Sequence, residues 1–541
     1  MADPAEPMAP ARTFVMHWIG LAAAIAVLIL FRLHAFDLPL ETDECNYAYI
    51  GTRLLAGDRL YTDVWDHQPF GVFVLFAATI AAFGDAPVVF RVLALVFSIV
   101  SLLLVAMILR RASGLRAALL GAMLFAVASS DPGTGGEGCN REIYMTTLIL
   151  AAWYFAVNSR LPLSQGAGAR RSWVVLSGIA LGLASTLKPI VAIHWVFLAA
   201  WLVFPLRRDI RALLGTLMRF ASGPVVIWAA SLSYFAGTDR LAAFVEAVFQ
   251  FNIGYSETGE PFHQRFIRFF NPIRHRFIFE SALPLWLAGA AAFLWLLVQT
   301  IRRKTHDSAA VIALAVAGYF ATCLSGRFWP HYYYLLIGPA VLAFCVFADS
   351  IAKGLFRLRR VTARIVAISA LFLVLPLFLA FWETRHYLFQ PLHNITVKRY
   401  NFRDFWGRAQ GENMAAVTEA HDRVFVYGNE AEIYYYSGRR CASRLTMITG
   451  LAAGMPSVEH RRQTLIEELT ANLPRVILVV FDEKPFPEWL RFLETYYGPA
   501  VGVDYHDDHP EDNIMLVFAR KNHPIRAIDW NWDRRRITDP S

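Results

Sequence analysis

Long apolar runs separated by short polar segments occupy most of the chain between Phe14 and Trp382. A helix that crosses the hydrocarbon core of a bilayer needs about 20 predominantly apolar residues. The pattern therefore predicts an all-α polytopic membrane domain over 14–382 with about eleven transmembrane helices. The predicted spans are 14–33, 88–109, 117–130, 142–157, 173–187, 190–205, 217–236, 281–300, 308–324, 331–349 and 362–382.

The basic residues indicate which side of the membrane each loop faces. If the N-terminus is cytoplasmic, the strongly basic loops all fall on the cytoplasmic side, where Lys and Arg are enriched. Counting the apolar run 69–83 as a span would reverse every later loop, so we expect it to be a helix lying on the outer membrane surface. The basic residues are Arg110, Arg111, Arg116, Arg160, Arg170, Arg171, Arg207, Arg208, Arg211, Arg302, Arg303, Lys304, Lys353, Arg357, Arg359 and Arg360.

The same assignment defines the domain organisation. Residues 1–13 are rich in Pro and Ala, and we expect a disordered cytoplasmic N-terminus there. The first external loop, 34–87, is unusually long for a connection between helices, and long loops of this kind usually carry function. From 383 to 541, strand-like runs alternate with amphipathic helical stretches, which predicts a small α/β domain on the extracytoplasmic side.

Composition agrees with this interpretation. The chain has 541 residues, of which 56% are hydrophobic and 17% charged, more apolar surface than a water-soluble protein can bury. The formal charge of +8 is concentrated in the basic loops, so it reflects topology and does not indicate nucleic-acid binding. The five cysteines lack the paired spacing of a metal site, so we interpret them as structural thiols, and no metal cluster is evident in the sequence.

Acidic residues mark three external positions. Asp43 and Glu44 follow the first span, Asp66 and His67 end the first external loop, and Glu142 begins a span. Each acid has an ordinary explanation, because acidic side chains favour the N-terminus of a helix. A carboxylate at the membrane surface could equally serve as a catalytic base, and ionisable residues at bilayer depth are typical of functional sites.

Cationic residues lie on the same predicted side, where topology does not require positive charge. Lys188 falls between two predicted spans, and Arg327 and His331 lie in an aromatic segment that continues into Tyr332. Individually they are explained by a snorkelling side chain and an aromatic belt. Together with the acids they suit a phosphate head group and an acceptor that must lose a proton.

The order of these motifs resembles the GT-C superfamily of membrane glycosyltransferases. The similar branch includes the protein O-mannosyltransferases, the lipid A aminoarabinose transferase and the rhizobial lipopolysaccharide transferases. This family often has a basic residue and two prolines where the present chain has Gln68-Pro69-Phe70. The motifs that carry the resemblance are Asp43-Glu44, the run 66–71, Glu142, Leu187-Lys188-Pro189, Arg327, Pro330-His331-Tyr332 and the run 425–438.

The resemblance implies a GT-C fold and an inverting transfer of a sugar from a polyprenyl-phosphate donor to an acceptor hydroxyl on the periplasmic face. Asp43 and Glu44 would be the catalytic acids, with Asp43 as the base. Lys188, Arg327 and His331 would bind the donor phosphate and stabilise the leaving group. Members of the superfamily differ in metal use, so the resemblance leaves open whether the protein uses a divalent cation. The residues that would support the site or the acceptor are Asp66, His67, Glu142 and Tyr332.

The implied location is a bacterial inner membrane, with a cytoplasmic N-terminus and a periplasmic or extracellular C-terminal domain. The identity of the acceptor is left open: lipid A, another cell-envelope glycan and a protein would each fit. Two other functions also remain: a transporter or flippase of lipid-linked sugars, and a polysaccharide polymerase or ligase. Transporters usually place polar residues at the bilayer midplane and contain inverted repeats. The charges here lie at one external surface and no repeat is evident, which favours an enzyme.

Overall fold

The computed structural model describes residues 10–160, 166–271, 276–303, 306–355, 401–452, 454–480, 485–502 and 515–525, with a few positions between 374 and 382. These residues form two compact units. The first contains the described residues within Met1–Phe36, Arg91–Ala230 and Phe262–Gln390, and the second those within Asp37–Phe90, Ser231–Pro261 and Pro391–Ser541.

Helices dominate the described chain. Short 3-10 turns occur between them, including Pro132–Thr134, Pro189–Val191 and Pro330–Leu336, and a π-helical turn covers Glu246–Gln250. In chain order the helices are α1 (Pro10–Arg32), α2 (Thr42–Leu55), α3 (Phe70–Phe83), α4 (Pro87–Ala112), α5 (Leu115–Ala128), α6 (Arg141–Asn158), α7 (Gly166–Ser185), α8 (Ala192–Val203), α9 (Ile210–Gly237), α10 (Leu241–Val245), α11 (Phe251–Glu257), α12 (Phe262–Arg268), α13 (Arg276–Arg303), α14 (His306–Leu324), α15 (Ile337–Leu355), α16 (Asn401–Ala416), α17 (Glu432–Ser437), α18 (Val458–Asn472) and α19 (Pro487–Tyr496).

The predicted spans from 14–33 to 331–349 all fall on helices, whereas the span 362–382 lies largely outside the described residues. In the described chain, six helical segments are long and apolar enough to cross a membrane, and α5 and the apolar part of α14 are shorter. The run 69–83 forms α3 as expected; its position on the membrane surface stays a prediction. The six segments are Val15–Asp37, Pro87–Ala112, Pro189–Leu206, Ile210–Gly237, Ala282–Arg302 and Pro330–Gly354.

The long helices of the first unit expose large apolar side chains. Ile19 is 63% exposed, Met218 68% and Leu287 62%. Such a surface suits lipid as the solvent, because proteins that face water rarely expose large apolar patches. The predicted all-α membrane domain is thus confirmed.

Glycines allow two of these helices to approach closely. Gly178 and Gly182 lie four residues apart on α7, and a Cβ on Gly182 would lie 3.0 Å from the Cα of Pro224 in α9. A Cβ on Gly178 would overlap the backbone carbonyl of Phe220. Membrane helices pack through such small residues, since no hydrophobic effect operates between them in lipid.

The second unit contains the small sheet predicted for the C-terminal region. Its strands are β1 (Arg423–Tyr427), β2 (Arg440–Cys441), β3 (Val476–Val480), β4 (Tyr497–Gly502) and β5 (Met515–Arg520), in the order β2-β1-β3-β5-β4. Strand β1 pairs in parallel with β2 and β3, whereas β5 is antiparallel to β3 and β4. Every residue of β3 is buried, as expected for a central strand covered on both faces. The predicted α/β domain is confirmed.

Candidate active site

The first turn of α2 carries Asp43 and Glu44. Glu44 is fully buried, and its Oε2 accepts a hydrogen bond from the backbone N–H of Glu41 at 3.1 Å. It therefore satisfies a donor that the start of a helix leaves unpaired, which is the ordinary role of an acid at this position. Asp43 is only half-buried, and within the described residues no hydrogen bond or ion pair engages its carboxylate. The two acids thus differ: Glu44 caps the helix and Asp43 remains available.

A polar network lies beside Asp43. Asn46 Nδ2 donates to Asp66 Oδ2 at 2.6 Å, and the backbone N–H of Gln68 donates to Asp66 Oδ1 at 2.7 Å. Asn46 Oδ1 in turn accepts a hydrogen bond from Thr446 Oγ1 at 2.7 Å. Because side chains three residues apart share a helix face, Asn46 lies on the same face of α2 as Asp43. Asp66 is therefore held rigidly by its neighbours.

His67 is positioned by aromatic packing. Its ring centroid is 5.1 Å from that of Phe251 and 5.4 Å from that of Tyr255. Asn252 Nδ2 donates to the backbone carbonyl of His67 at 2.6 Å. The imidazole Nδ1 lies 3.6 Å from Asp66 Oδ1, and 18% of the side chain remains exposed. The ring is thus fixed in position and still accessible to a ligand.

Residues of the C-terminal domain hold the turn that carries Asp43. Thr42 Oγ1 donates to Glu432 Oε1 at 2.6 Å, across a sequence separation of 390 residues. The backbone N–H of Leu40 donates to the Tyr436 hydroxyl at 2.8 Å. Since Leu40 and Thr42 flank the start of α2, the two hydrogen bonds to α17 fix the position of this helix start.

A second group of candidate residues lies in the first unit. Lys188 Nζ is 3.0 Å from Glu142 Oε1 and 3.3 Å from the centroid of the Tyr332 ring. Arg141 Nε lies 3.5 Å from the same carboxylate oxygen. Glu142 and Arg141 are buried, whereas 13% of the Lys188 side chain is exposed. The arrangement joins two cations to one carboxylate and adds a cation–π contact.

His331 borders this group. Its ring centroid is 4.8 Å from that of Tyr332, and it is close enough to Glu142 to interact electrostatically. Gly135 lies against it: this residue has a left-handed φ of 66°, and a Cβ there would be 3.5 Å from His331 Cβ. The loop between α5 and α6 therefore packs directly on the turn that contains His331 and Tyr332.

The same loop is anchored to the end of α1. Arg32 is almost fully buried and donates to the backbone carbonyl of Ser129 at 2.6 Å and to Ser130 Oγ at 3.3 Å. His34 Nε2 lies 2.8 Å from Glu137 Oε2, whose side chain is fully buried. Sequence reasoning missed this anchor, because nothing in the pattern links residues about a hundred positions apart.

Arg327 lies in the tight loop between α14 and the 3-10 turn Pro330–Leu336. Its backbone N–H donates to Ser325 Oγ at 3.4 Å, and the side chain is half-buried. The residues on either side, Gly326 and Phe328, have φ values of 67° and 54°. The strained loop fixes Arg327 just before the segment that contains His331.

The structure therefore brings the candidates together in two groups, each within its own unit. Glu142, Lys188, His331 and Tyr332 form one group, and Asp43, Glu44, Asp66 and His67 lie in the other with their supports. Sequence reasoning missed Asn46, although its helical spacing from Asp43 could have indicated it. It also missed Glu432, for which no local signal exists. In the described part of the chain, no group of three or more His, Cys, Asp or Glu side chains is placed to hold a metal ion.

The apolar helices and the small α/β domain form a polytopic membrane fold of the GT-C type. Two solved structures of ArnT from Cupriavidus metallidurans have this fold. The apo form matches with a TM-score of 0.62 and 17% identity, over 94% of this chain and 98% of ArnT. The form bound to undecaprenyl phosphate matches with a TM-score of 0.59 and 15% identity, over the same shares of the two chains.

A third similar structure is the oligosaccharyltransferase AglB from Archaeoglobus fulgidus, in complex with an inhibitory peptide and a dolichol-phosphate. Its TM-score is 0.53 with 15% identity, over 96% of this chain and 77% of AglB. No family model and no curated protein sequence matches the chain. The structural similarity confirms the fold that the motif order implied.

Proposed function

We propose that this protein is a membrane glycosyltransferase that moves a sugar from a polyprenyl-phosphate donor to an acceptor hydroxyl on the extracytoplasmic face. The observation that carries the proposal is the cationic group around Lys188, in a fold shared with a protein solved in complex with undecaprenyl phosphate. Phosphate oxygens accept hydrogen bonds strongly from ammonium and guanidinium groups. A partly exposed Lys188 beside His331 suits such a head group.

In the proposed reaction, Asp43 is the base. Its carboxylate takes the proton of the acceptor hydroxyl while the acceptor oxygen bonds to the anomeric carbon of the donor sugar. The bond between that carbon and the phosphate oxygen breaks on the opposite face, and its electron pair stays on the phosphate. The configuration at the anomeric carbon is therefore inverted. The available carboxylate of Asp43 on a hydrogen-bonded turn supports this role.

The remaining candidates position the reactants. Lys188, Arg327 and His331 bind the donor phosphate and stabilise the charge that develops on it. Glu142 and Tyr332 hold Lys188 in place. Asp66 and His67 contact the acceptor, and Glu44 acts by fixing the turn of Asp43. No step requires a metal ion, and the identity of the sugar and acceptor is left open.

The proposed location is a bacterial inner membrane, with the basic loops in the cytoplasm and the C-terminal domain in the periplasm. The distribution of basic residues supports this topology. The proposed site then faces the periplasm, where polyprenyl-phosphate sugars and cell-envelope acceptors meet. A flippase would use the same lipid, so the test must separate transfer from translocation.

The test is transfer from radiolabelled polyprenyl-phosphate sugars in proteoliposomes, with a cell-envelope extract as acceptor. We expect transfer by the wild type and its loss in Asp43→Ala. The matched control is Asp63→Ala. Asp63 is an exposed acid of the same loop and is paired with Arg59, so the Asp63→Ala protein should transfer sugar at the wild-type rate. Translocation of the lipid without transfer would contradict the proposal and favour the flippase.

A further inference from the structure

Two contacts at different depths of the membrane domain join α6 to the segment that forms α8. Near the start of both helices, Lys188 Nζ is 3.0 Å from Glu142 Oε1, and Lys188 directly precedes the 3-10 turn that leads into α8. Toward the ends of both helices, the ring centroids of Trp153 and Trp201 are 5.8 Å apart. The two helices therefore run in parallel, and positions at equal distances before the tryptophan pair lie at the same depth.

A pair of polar residues lies between these two contacts. Thr146 is seven residues before Trp153, and His194 is seven residues before Trp201. Seven residues complete nearly two helical turns and rise about 10 Å, so each polar side chain shares a helix face with its tryptophan. Thr146 and His194 therefore meet at the same depth in the seam between α6 and α8.

The polar atoms of this seam are deeply buried. Thr146 and Trp153 are each 2% exposed, and His194 is 1% exposed. Within the described residues, no hydrogen bond reaches Thr146 Oγ1, Trp153 Nε1 or either ring nitrogen of His194. Burying a polar group without a hydrogen bond is costly, and nearly all such groups in native proteins pair with protein atoms or ordered water. The seam therefore needs hydrogen-bonding partners beyond the side chains that line it.

Glu142 adds an acceptor at the external end of the seam. Lys188 and Arg141 both approach its Oε1, at 3.0 and 3.5 Å. Its Oε2 is buried and has no hydrogen-bond donor in the described part of the chain. Glu142 and Thr146 are four residues apart, so they are neighbours on one face of α6. One carboxylate oxygen is thus held by cations, and the other still needs a donor.

We infer that the seam binds a short chain of internal water molecules, which runs from Glu142 Oε2 past Thr146 and His194 to Trp153 Nε1. Water fits because these groups need donors and acceptors together: the carboxylate accepts, the indole donates, and the hydroxyl and the neutral imidazole do both. A buried water makes about three hydrogen bonds to groups of this kind. An anion or a metal ion would satisfy only part of the set.

The water at Glu142 Oε2 has a consequence for Lys188. Because water satisfies one carboxylate oxygen, the ammonium group contacts only the other, and 13% of the Lys188 side chain stays exposed. An ammonium group has three hydrogens to donate, so those that do not face Glu142 can bind a phosphate. This consequence rests on the proposed function, whereas the existence of the water chain does not.

The direct test is brief synchrotron radiolysis of the full chain in nanodiscs. Hydroxyl radicals formed from bound water oxidise the side chains beside it, and mass spectrometry locates the added oxygen. Trp153 is the reporter. The matched control is Trp489, which is 1% exposed and stacks on Tyr427 in the C-terminal domain. We expect several-fold more oxidation of Trp153 than of Trp489, and loss of that difference when Thr146→Val is combined with His194→Phe.

The sign of a stability change is an independent test. Thr146→Val keeps the shape of the side chain and removes its hydroxyl. With water bound, the variant should unfold at a lower SDS concentration than the wild type, because the water loses a partner. In a dry seam the same change would raise that concentration, because it removes an unpaired buried hydroxyl. The matched control is Thr216→Val, which should change little because Thr216 Oγ1 bonds to the Ala212 carbonyl of its own helix at 2.8 Å.

Either test can overturn the inference: Trp153 oxidised no more than Trp489, or a Thr146→Val protein more resistant to SDS than the wild type. Sugar transfer from the lipid donor is scored separately. Oxidation of Trp153 in a protein that transfers no sugar would support the water chain and reject the transferase. Transfer by a protein with a dry seam would reject the water chain and leave the transferase standing.

Discussion

The two groups of candidate residues are held in different ways. Around Asp43, neutral and charged hydrogen bonds join α2 to residues far away in sequence, as in the pair Thr42–Glu432 at 2.6 Å. Around Lys188, the contacts are an ion pair with Glu142 at 3.0 Å and packing against the Tyr332 ring. The first group is therefore held in place by directional hydrogen bonds, whereas the second is held in place by the balance of its charges.

This difference determines which substitutions each group should tolerate. A carboxylate that must reach one reacting hydroxyl is misplaced when its side chain grows by a single methylene, even if its charge is kept. A buried ion pair tolerates changes of shape better than loss of one charge, because the other charge then stays buried without compensation. Substitutions in both groups test this contrast, and the greatest loss of stability is expected where a buried charge loses its partner.

Lys188→Met should be destabilising. It removes the nearer of the two cations from the buried Glu142 carboxylate and leaves Arg141 3.5 Å away, so the loss should not exceed the about 3–5 kcal/mol of a buried pair that loses one partner. Lys188→Met combined with Glu142→Gln and Arg141→Gln removes all three charges and should recover much of that stability. Unfolding by SDS titration in mixed micelles measures the difference. If the triple variant is as unstable as the single one, charge balance does not hold this group together.

The same group of charges separates stability from donor binding. The triple variant without charges should still bind a polyprenyl-phosphate probe less tightly than the wild type, because Lys188 is proposed to contact the phosphate. Lys188→Arg keeps the charge and should retain most of the binding. Normal phosphate binding by the triple variant would show that Lys188 has a purely structural role.

Asp43→Glu should reduce sugar transfer about 100-fold, since a catalytic group displaced by roughly 1 Å can lose that factor. The charge is kept, so affinity for the donor should not change. Steady-state kinetics in proteoliposomes should therefore show a lower kcat at an unchanged donor KM. A variant that transfers at the normal rate would show that the group around Asp43 depends on charge alone, and the contrast with Lys188 would disappear.

The helices and the central strands could be predicted from the sequence, because their signals are local. The apolar runs of α1 and α4 have the length of a membrane span, and β1 coincides with the predicted strand at 423–427. The helix α3 was also expected, from a run too short to cross a membrane. The periodicity and length of a segment are enough to predict a helix or a strand wherever its side chains meet one kind of environment.

The arrangement of the site could be predicted only in part. Asp43, Glu142 and Lys188 are conspicuous because charge is unusual beside apolar runs, and the structure does place Glu142 against Lys188. The partner of Thr42 could not be found in this way, since Glu432 is 390 residues later. The sheet order likewise depends on long-range packing, which a single sequence does not encode in any local pattern.

The hydrogen bond between Thr42 and Glu432 should contribute to catalysis through the position of Asp43. Thr42→Val removes the donor and Glu432→Met removes the acceptor, so each should lower kcat by about tenfold, as expected for one hydrogen bond to a charged group. Because both remove the same contact, the double variant should be little worse than either single one. Donor KM should stay constant. Fully additive losses would show that the two residues act separately and that α17 does not position the base.

The smallest expected effect concerns the rate at which maleimide labels the Cys441 thiol. This rate reports whether β2 stays packed on α2. The backbone N–H of Cys441 donates to the Tyr49 hydroxyl at 2.9 Å, and burial raises the pKa of the Cys441 thiol to about 12. At pH 8 only about one thiol in ten thousand is then ionised, against roughly a quarter for an ordinary cysteine of pKa about 8.5. Maleimide should therefore label Cys441 very slowly in the native protein and quickly after denaturation.

The exposed variant Ala471→Cys is the matched control, and it should be labelled within the same reaction at the rate of a free thiol. Labelling of Cys441 should rise with pH because the thiolate is the reactive form, whereas labelling of Ala471→Cys should level off above about pH 9. Mass spectrometry of the labelled peptides distinguishes the two sites. Rapid labelling of native Cys441 at pH 8 would mean that β2 separates readily from α2. The C-terminal domain could not then hold the start of α2 firmly enough to position Asp43.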